Sequence, residues 1–201
     1  VEPVNFNSPG QVVIAGNATA GSDYSALSGS VTIPGGASSA TIAVDVLNDQ
    51  VLEPAETVTL TLTGTNNASV TVGSPNAASV NIADDDAAAV GITKQNDGAE
   101  AATPTNGKFR VTQTKASSTA TVIAYTVNGT ATAGAGNDYT ALGGTVTVPA
   151  GATTADIDVS VLNDNIVEGA ETVIVTLIGI SSGDTDITID AANQTASVSI
   201  A

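Results

Sequence analysis

Apolar residues along this chain come in short runs that alternate with polar or small ones, and turn residues separate the runs. Residues 31–33, 41–46, 57–62 and 79–82 alternate in this way, with Gly, Pro or Asn-Asp between them. A period of two turns one face of an extended segment toward a core and the other toward solvent, so each run predicts an antiparallel strand. Residues 4–7 are read as the counterpart of a later strand near Val122. Further on, residues 89–93, 107–113, 121–126, 145–148, 155–161, 172–177 and 196–200 carry the same signal. Seven such strands are enough for a two-sheet sandwich. Helical periodicity with caps is absent, and the one candidate turn, residues 53–57, is too short to stand as a helix.

The pattern is written twice. Residues 18–64 and 131–179 share A-T-A-G, D-Y, N-D, E-x-A-E-T and a closing T-L-x-G. Asp23 and Asp138, Asp49 and Asp164, Glu53 and Glu168, and Glu56 and Glu171 each stand 115 positions apart. The later S-V-N-I-A at 79–83 and S-V-S-I-A at 197–201 stand 118 apart, so three residues were inserted between Gly179 and Ser197. A length change of that kind predicts an exposed loop there. The expected domains are residues 1–86, a repeat whose opening strands are lacking, and residues 87–201, a nearly complete one that stops before its terminal Asp run. The fold class is all-β, two antiparallel sandwiches in tandem.

Composition narrows the function. Among 201 residues the aromatics make up only 2%, so the cores must be built from Val, Ile, Leu and Ala, with Phe109, Tyr24, Tyr125 and Tyr139 as isolated packing rings. Twenty acidic residues against four basic ones give a net charge of -16, which repels nucleic-acid phosphates and anionic lipid. The four basic residues, Lys94, Lys108, Arg110 and Lys115, are read as a solvated strand face. Without Cys or His the chain has neither disulfides nor the usual hydrolytic triads, and we expect no enzyme. No apolar run reaches the length of a membrane span. Gly29, Gly36, Gly144 and Gly151 are expected in turns that need positive φ.

The repeated carboxylates lie at expected strand ends and in loops. Their spacing, Asp, then Glu four on, then Glu three on, can curl several oxygens around one point. Charges this dense repel one another unless a cation neutralises them, and oxygen-only donors suit Ca²⁺ rather than zinc or copper. The plainer reading is an acidic, solubilising face. Because the two copies share an ancestor, recurrence of position alone leaves both readings open.

G-S-D-Y at 21–24, N-D-Q-V-L-E-P-A-E-T at 48–57, N-D-N-I-V-E-G-A-E-T at 163–172 and A-D-D-D at 83–86 resemble the Calx-beta domain. That family occurs in sodium–calcium exchangers, in integrin β4 and in large bacterial surface proteins, and the resemblance spans nearly the whole chain. It implies an immunoglobulin-like sandwich with calcium held among the loops at one end. Carried over by position, the implied ligands of the first copy are Asp23, Asp49, Glu53, Glu56, Asp84, Asp85 and Asp86. Those of the second are Glu100, Asp138, Asp164, Glu168 and Glu171. Asn48 and Asn163 replace an Asp of the exchanger pattern, which lowers the charge and implies fewer or weaker ions.

The expected role is a calcium-binding structural or adhesive repeat of a secreted or cell-surface protein, able to assemble into fibres by strand sharing. Its expected partners are calcium ions and neighbouring repeats or other copies of itself. A regulatory calcium sensor and a carbohydrate-binding module are the alternatives, the second disfavoured by the shortage of aromatic platforms.

Overall fold

A computed structural model describes residues 8–163 and 166–201. They are β-strands and connecting loops, and no helix among them is long and apolar enough to cross a membrane. The expected strand at residues 4–7 lies outside the described residues. The chain divides into two units. One runs to Asp49 and resumes over Pro54–Asp84, and the other comprises Gln50–Glu53 and Asp85–Ala201.

In the first unit β1 (Ser8–Gly16), β2 (Ser30–Ile33), β3 (Glu56–Thr65) and β4 (Ala77–Ile82) form one antiparallel sheet in the order β2-β1-β3-β4. Its buried cluster is small: Tyr24, Val58 and Ile82, with Ile14, Leu27, Val44 and Leu60 partly covered.

The second unit contains β5 (Ala88–Asn96), β6 (Gly107–Gln113), β7 (Thr121–Gly129), β8 (Thr145–Val148), β9 (Thr154–Val159), β10 (Glu171–Ser182), β11 (Ile187–Ile189) and β12 (Thr195–Ile200). Two sheets, β12-β10-β7-β8 and β11-β5-β6-β9, face each other. Alternate residues of β6, β7 and β10 are buried between them, which is how a period of two becomes a sandwich core. Phe109, Tyr125 and Tyr139 are buried there, as their scarcity among aliphatic runs predicts. Leu52 also belongs to this core; its N–H donates to the Ala116 carbonyl at 3.0 Å and its own carbonyl accepts from the Ser118 N–H at 2.9 Å.

Three expectations are corrected. Residues 41–46 do not form a strand; only Val46 bridges to Tyr24. Their counterpart 115 positions on, β9, is held by its ladder to β6, and among the described residues the first unit has no strand on that side. The region between Gly179 and Ser197 is not all loop, because I-T-I forms β11 with Ile187 buried. β11 pairs parallel to β5, so the described residues of the second unit form eight strands rather than seven, with one parallel pair among them.

Gly29, Gly36, Gly144 and Gly151 all take positive φ, as turn glycines were expected to. The sheets also depend on a glycine pair the sequence did not single out. Gly16 and Gly129 have φ of +126° and +127°, and a Cβ on either would sit 2.0 Å from the carbonyl oxygen of Thr57 or Thr172. Only glycine lets β1 close on β3, and β7 on β10, at these points.

Candidate metal site

The loops at one end of the second unit are built from the repeated motifs. In the loop after β7, the buried Tyr139 ring anchors the chain while its backbone bridges to Ala133 and Val161. The neighbouring Asp138 is also buried, and its Oδ2 accepts from the Thr132 N–H at 2.5 Å. Its carbonyl accepts from the Leu162 N–H at 2.8 Å. The first unit repeats this arrangement: Asp23 accepts from the Thr19 N–H, and the Asp23 carbonyl accepts from the Leu47 N–H at 2.9 Å. These backbone donors at the Thr of A-T-A-G fix the carboxylate's direction, and the recurrence of that tetrapeptide was the available signal for them.

A second loop, N-D-G-A-E at 96–100, is laced to the end of β12. The Gly98 N–H donates to the Ser199 carbonyl at 2.8 Å, and the Glu100 N–H to the Ala201 carbonyl at 2.8 Å. Asp97 accepts from the Ser199 N–H and pairs with Lys94, which holds its carboxyl below the ordinary range. That pairing turns Asp97 to a structural task and leaves Glu100 as the loop's acid toward Asp138. Glu168 comes from the loop before β10, and Glu171 from its first residue.

Glu100, Asp138 and Glu168 each present a carboxylate oxygen within 4.8 Å of the others. Glu171 faces the same group. A hydrogen bond with Asp138 and the charges of Asp138, Glu168 and Glu100 push its carboxyl above the ordinary range. A cavity of about 230 Å³ opens beside them, lined by Glu100, Asn163, Glu168 and Glu171 and by the apolar Ile166 and Ile200. Four carboxylates with no lysine or arginine among those lining residues form an electrostatic hole that a hard cation would fill.

The remaining candidates are distributed unevenly. Asp164 lies outside the described residues. Asp23 and Glu56 present oxygens within 4.8 Å of one another in the first unit. Asp49 is exposed on the same unit, and Asp84 is half-buried at its end. Glu53 sits in the four-residue segment grouped with the second unit. Asp85 is exposed, whereas Asp86 is half-buried and forms an ion pair with Lys115. Lys115 therefore already neutralises one acid of the Asp run. The basic stretch is a paired surface throughout: Lys108 and Arg110 on β6 reach Asp156 on β9, and Lys108 also reaches Asp158.

The Calx-beta domain model matches residues 12–86 and 93–201. Among solved structures the chain is similar to the crystal structure of CBD12 from CALX1.2, with a TM-score of 0.41 and 16% identity over 98% of this chain and 88% of that one. A second similar structure, calcium binding domain CBD12 of CALX1.1, has a TM-score of 0.40 and 16% identity over 98% of this chain and 89% of that one. The apo form of the Calx CBD1 domain gives a TM-score of 0.39 and 21% identity over 55% of this chain and 96% of that one. No curated protein matches the chain.

Proposed function

From the premise that this chain belongs to the Calx-beta domain family, as two repeats in tandem, we propose that it is a calcium-binding structural module of a secreted or cell-surface protein. The observation that carries this reading is the carboxylate group of the second unit, where Glu100, Asp138 and Glu168 converge and Glu171 is driven toward its protonated form by them. An acidic face evolved only for solubility spreads its charges; here a buried Asp is aimed into other acids. In this reading Glu100, Asp138, Glu168 and Glu171, with Asp164, hold the ion in the second unit, and Asp23 and Glu56, with Asp49 and Asp84, do so in the first. The bound ion supplies positive charge that joins three loops, so its chemistry is structural.

Asn48 and Asn163 in place of acids suit weak sites that fill at extracellular calcium, about 10⁻⁴–10⁻³ M, rather than a cytosolic sensor. Such repeats, joined to neighbouring repeats or to other copies, would serve as stiffened spacers or fibre units. Thermal unfolding in excess chelator, in millimolar calcium and in millimolar magnesium tests the proposal. Calcium at about 100 times the dissociation constant adds about 2.7 kcal/mol to the unit that binds it. The expected result is a calcium-specific rise that Asp138→Asn abolishes. No rise, or one that magnesium reproduces in full, overturns it, and micromolar affinity would favour the sensor.

A further inference from the structure

Lys115 sits in the loop that follows β6, and neighbouring bonds fix that loop in place. The buried Gln113 donates from its Nε2 to the Lys115 carbonyl at 2.7 Å. Beside it the Thr114 N–H donates to the Ala89 carbonyl, and the Ala89 N–H donates to Thr114 Oγ1, both at 3.0 Å. These bonds lay the residues that enter β5 alongside residues 113–115, and there Lys115 Nζ meets Asp86 Oδ1. The Asp86 side chain is 10% exposed, against 28% for Asp156 and 46% for Asp97 in their pairs with Lys108 and Lys94. A carboxylate held that far out of water needs a positive partner, and losing it would leave a costly uncompensated charge. By position in the repeat that partner would be calcium, since Asp86 closes the Asp run of the ligand set that the resemblance implies. The structure puts an ammonium there instead.

We propose that Lys115 is a built-in counter-cation that takes the place of calcium at Asp86 and anchors the entry into β5 whether or not calcium is bound. The inference rests on the calcium reading above and narrows it, because Asp86 leaves the implied ligand set and becomes a structural residue. An ammonium on the chain's own stem, its backbone tied down through Gln113, is not removed by a chelator. It also repels a divalent ion that approaches the same carboxylate, and with water partly excluded both its attraction for Asp86 and that repulsion act more strongly than between exposed charges. The effect adds to that of Asn48, which already stands where the exchanger pattern has an acid. Lys115 is thus a positioning residue: it acts through Asp86 on the backbone that leads into β5.

Hydrogen exchange at the Ala89 and Thr114 amides of the full chain, in chelator and in millimolar calcium, tests this. Each rate is divided by that of Val111, a fully buried residue of the same unit, so that a global gain from calcium cancels. In the parent the two conditions should agree within about twofold. Lys115→Met keeps the stem and removes the charge. In chelator it should speed exchange at both amides by about tenfold or more, and calcium, drawn by the uncompensated Asp86, should restore the protection. Lys115→Arg retains the charge and should behave as the parent does. Asp86→Asn combined with Lys115→Met should exchange alike in both conditions, because nothing remains there for calcium to neutralise. Parent protection that rises about tenfold with calcium overturns the proposal, since calcium and not Lys115 then holds Asp86. So does a Lys115→Met chain as protected as the parent in chelator, an Arg variant as unprotected as the Met one, or a Met variant that calcium does not restore. The parent's thermal rise in calcium depends on ligands other than Asp86, and it separates these outcomes from failure of the calcium reading itself.

Discussion

The two units are written in one repeat yet reach different degrees of closure. The second buries twenty side chains in one cluster, the first three, among the described residues. Their sheets superimpose in logic: β10 pairs with β7 and β12 as β3 pairs with β1 and β4, and the glycine that permits close approach recurs at Gly16 and Gly129. The contrast lies in the second layer. A sheet buries one apolar face only when something packs on it, and the same leucines and valines become core or surface according to that layer alone. Alternation specifies the strand; cover specifies the stability.

The comparison is broken most directly by truncating one leucine in each unit. Leu177→Ala removes a fully packed side chain and is expected to lower the stability of the second unit by about 2–5 kcal/mol. Leu62→Ala, at the matching position, removes one that is partly in water and is expected to cost under about 1 kcal/mol. Denaturant unfolding followed by amide exchange, which resolves the two units, checks both. Equal losses would mean that the Leu62 face is covered in solution.

Much of this architecture is legible in the sequence, for definite reasons. Residues 107–113 and 145–148 carry strict alternation and turn residues at both ends, and the strands fall there without adjustment. Residues 41–46 alternate equally well and are not a strand, because a ladder needs a neighbour that local pattern cannot supply. β11 was illegible for the opposite reason: three residues inside an insertion have too little period to read, and its place is set by pairing with β5. At the site, the resemblance named Glu100, Asp138 and Glu168, and the structure brings these three together. It also named Asp86, which the structure pairs with Lys115, a contact over twenty-nine positions that spacing does not reveal. The donors from Thr19 and Thr132 are backbone groups, invisible to any reading of side-chain chemistry.

A smaller effect concerns charge in the second unit. Glu171 is held above the ordinary carboxyl range by Asp138, Glu168 and Glu100, so the folded form binds its proton more tightly than the unfolded one. Stability from this group is therefore fully present below the unfolded value near 4.3 and is lost as pH rises through the folded value. In chelator, Glu171→Gln should remove that loss: the difference between variant and parent should be positive at pH 7 and shrink as pH falls through the raised range. Millimolar calcium should reverse its sign at pH 7, because the variant then lacks a ligand. A pH-independent difference would show that the acids do not sense one another.

The smallest expected effect comes from the two β6–β9 ion pairs made by Asp156, which have no counterpart among the described residues of the first unit. Arg110 Nε lies 2.8 Å and Lys108 Nζ 3.3 Å from Asp156, whose carboxyl is lowered to about 2, first by the hydrogen bond from Arg110. Both partners are substantially exposed, so water and salt screen the attraction and only a small contribution is expected. A depressed carboxyl stabilises the fold above its unfolded value near 3.9, and that stability is lost as pH falls toward 2. Asp156→Asn should therefore have a small cost at pH 7, less in 1 M salt, and most of that cost should be gone by pH 2, measured as the difference in denaturation midpoint from the parent chain. A cost that survives undiminished at pH 2 would mean that Asp156 acts through packing along the ladder rather than through its charge.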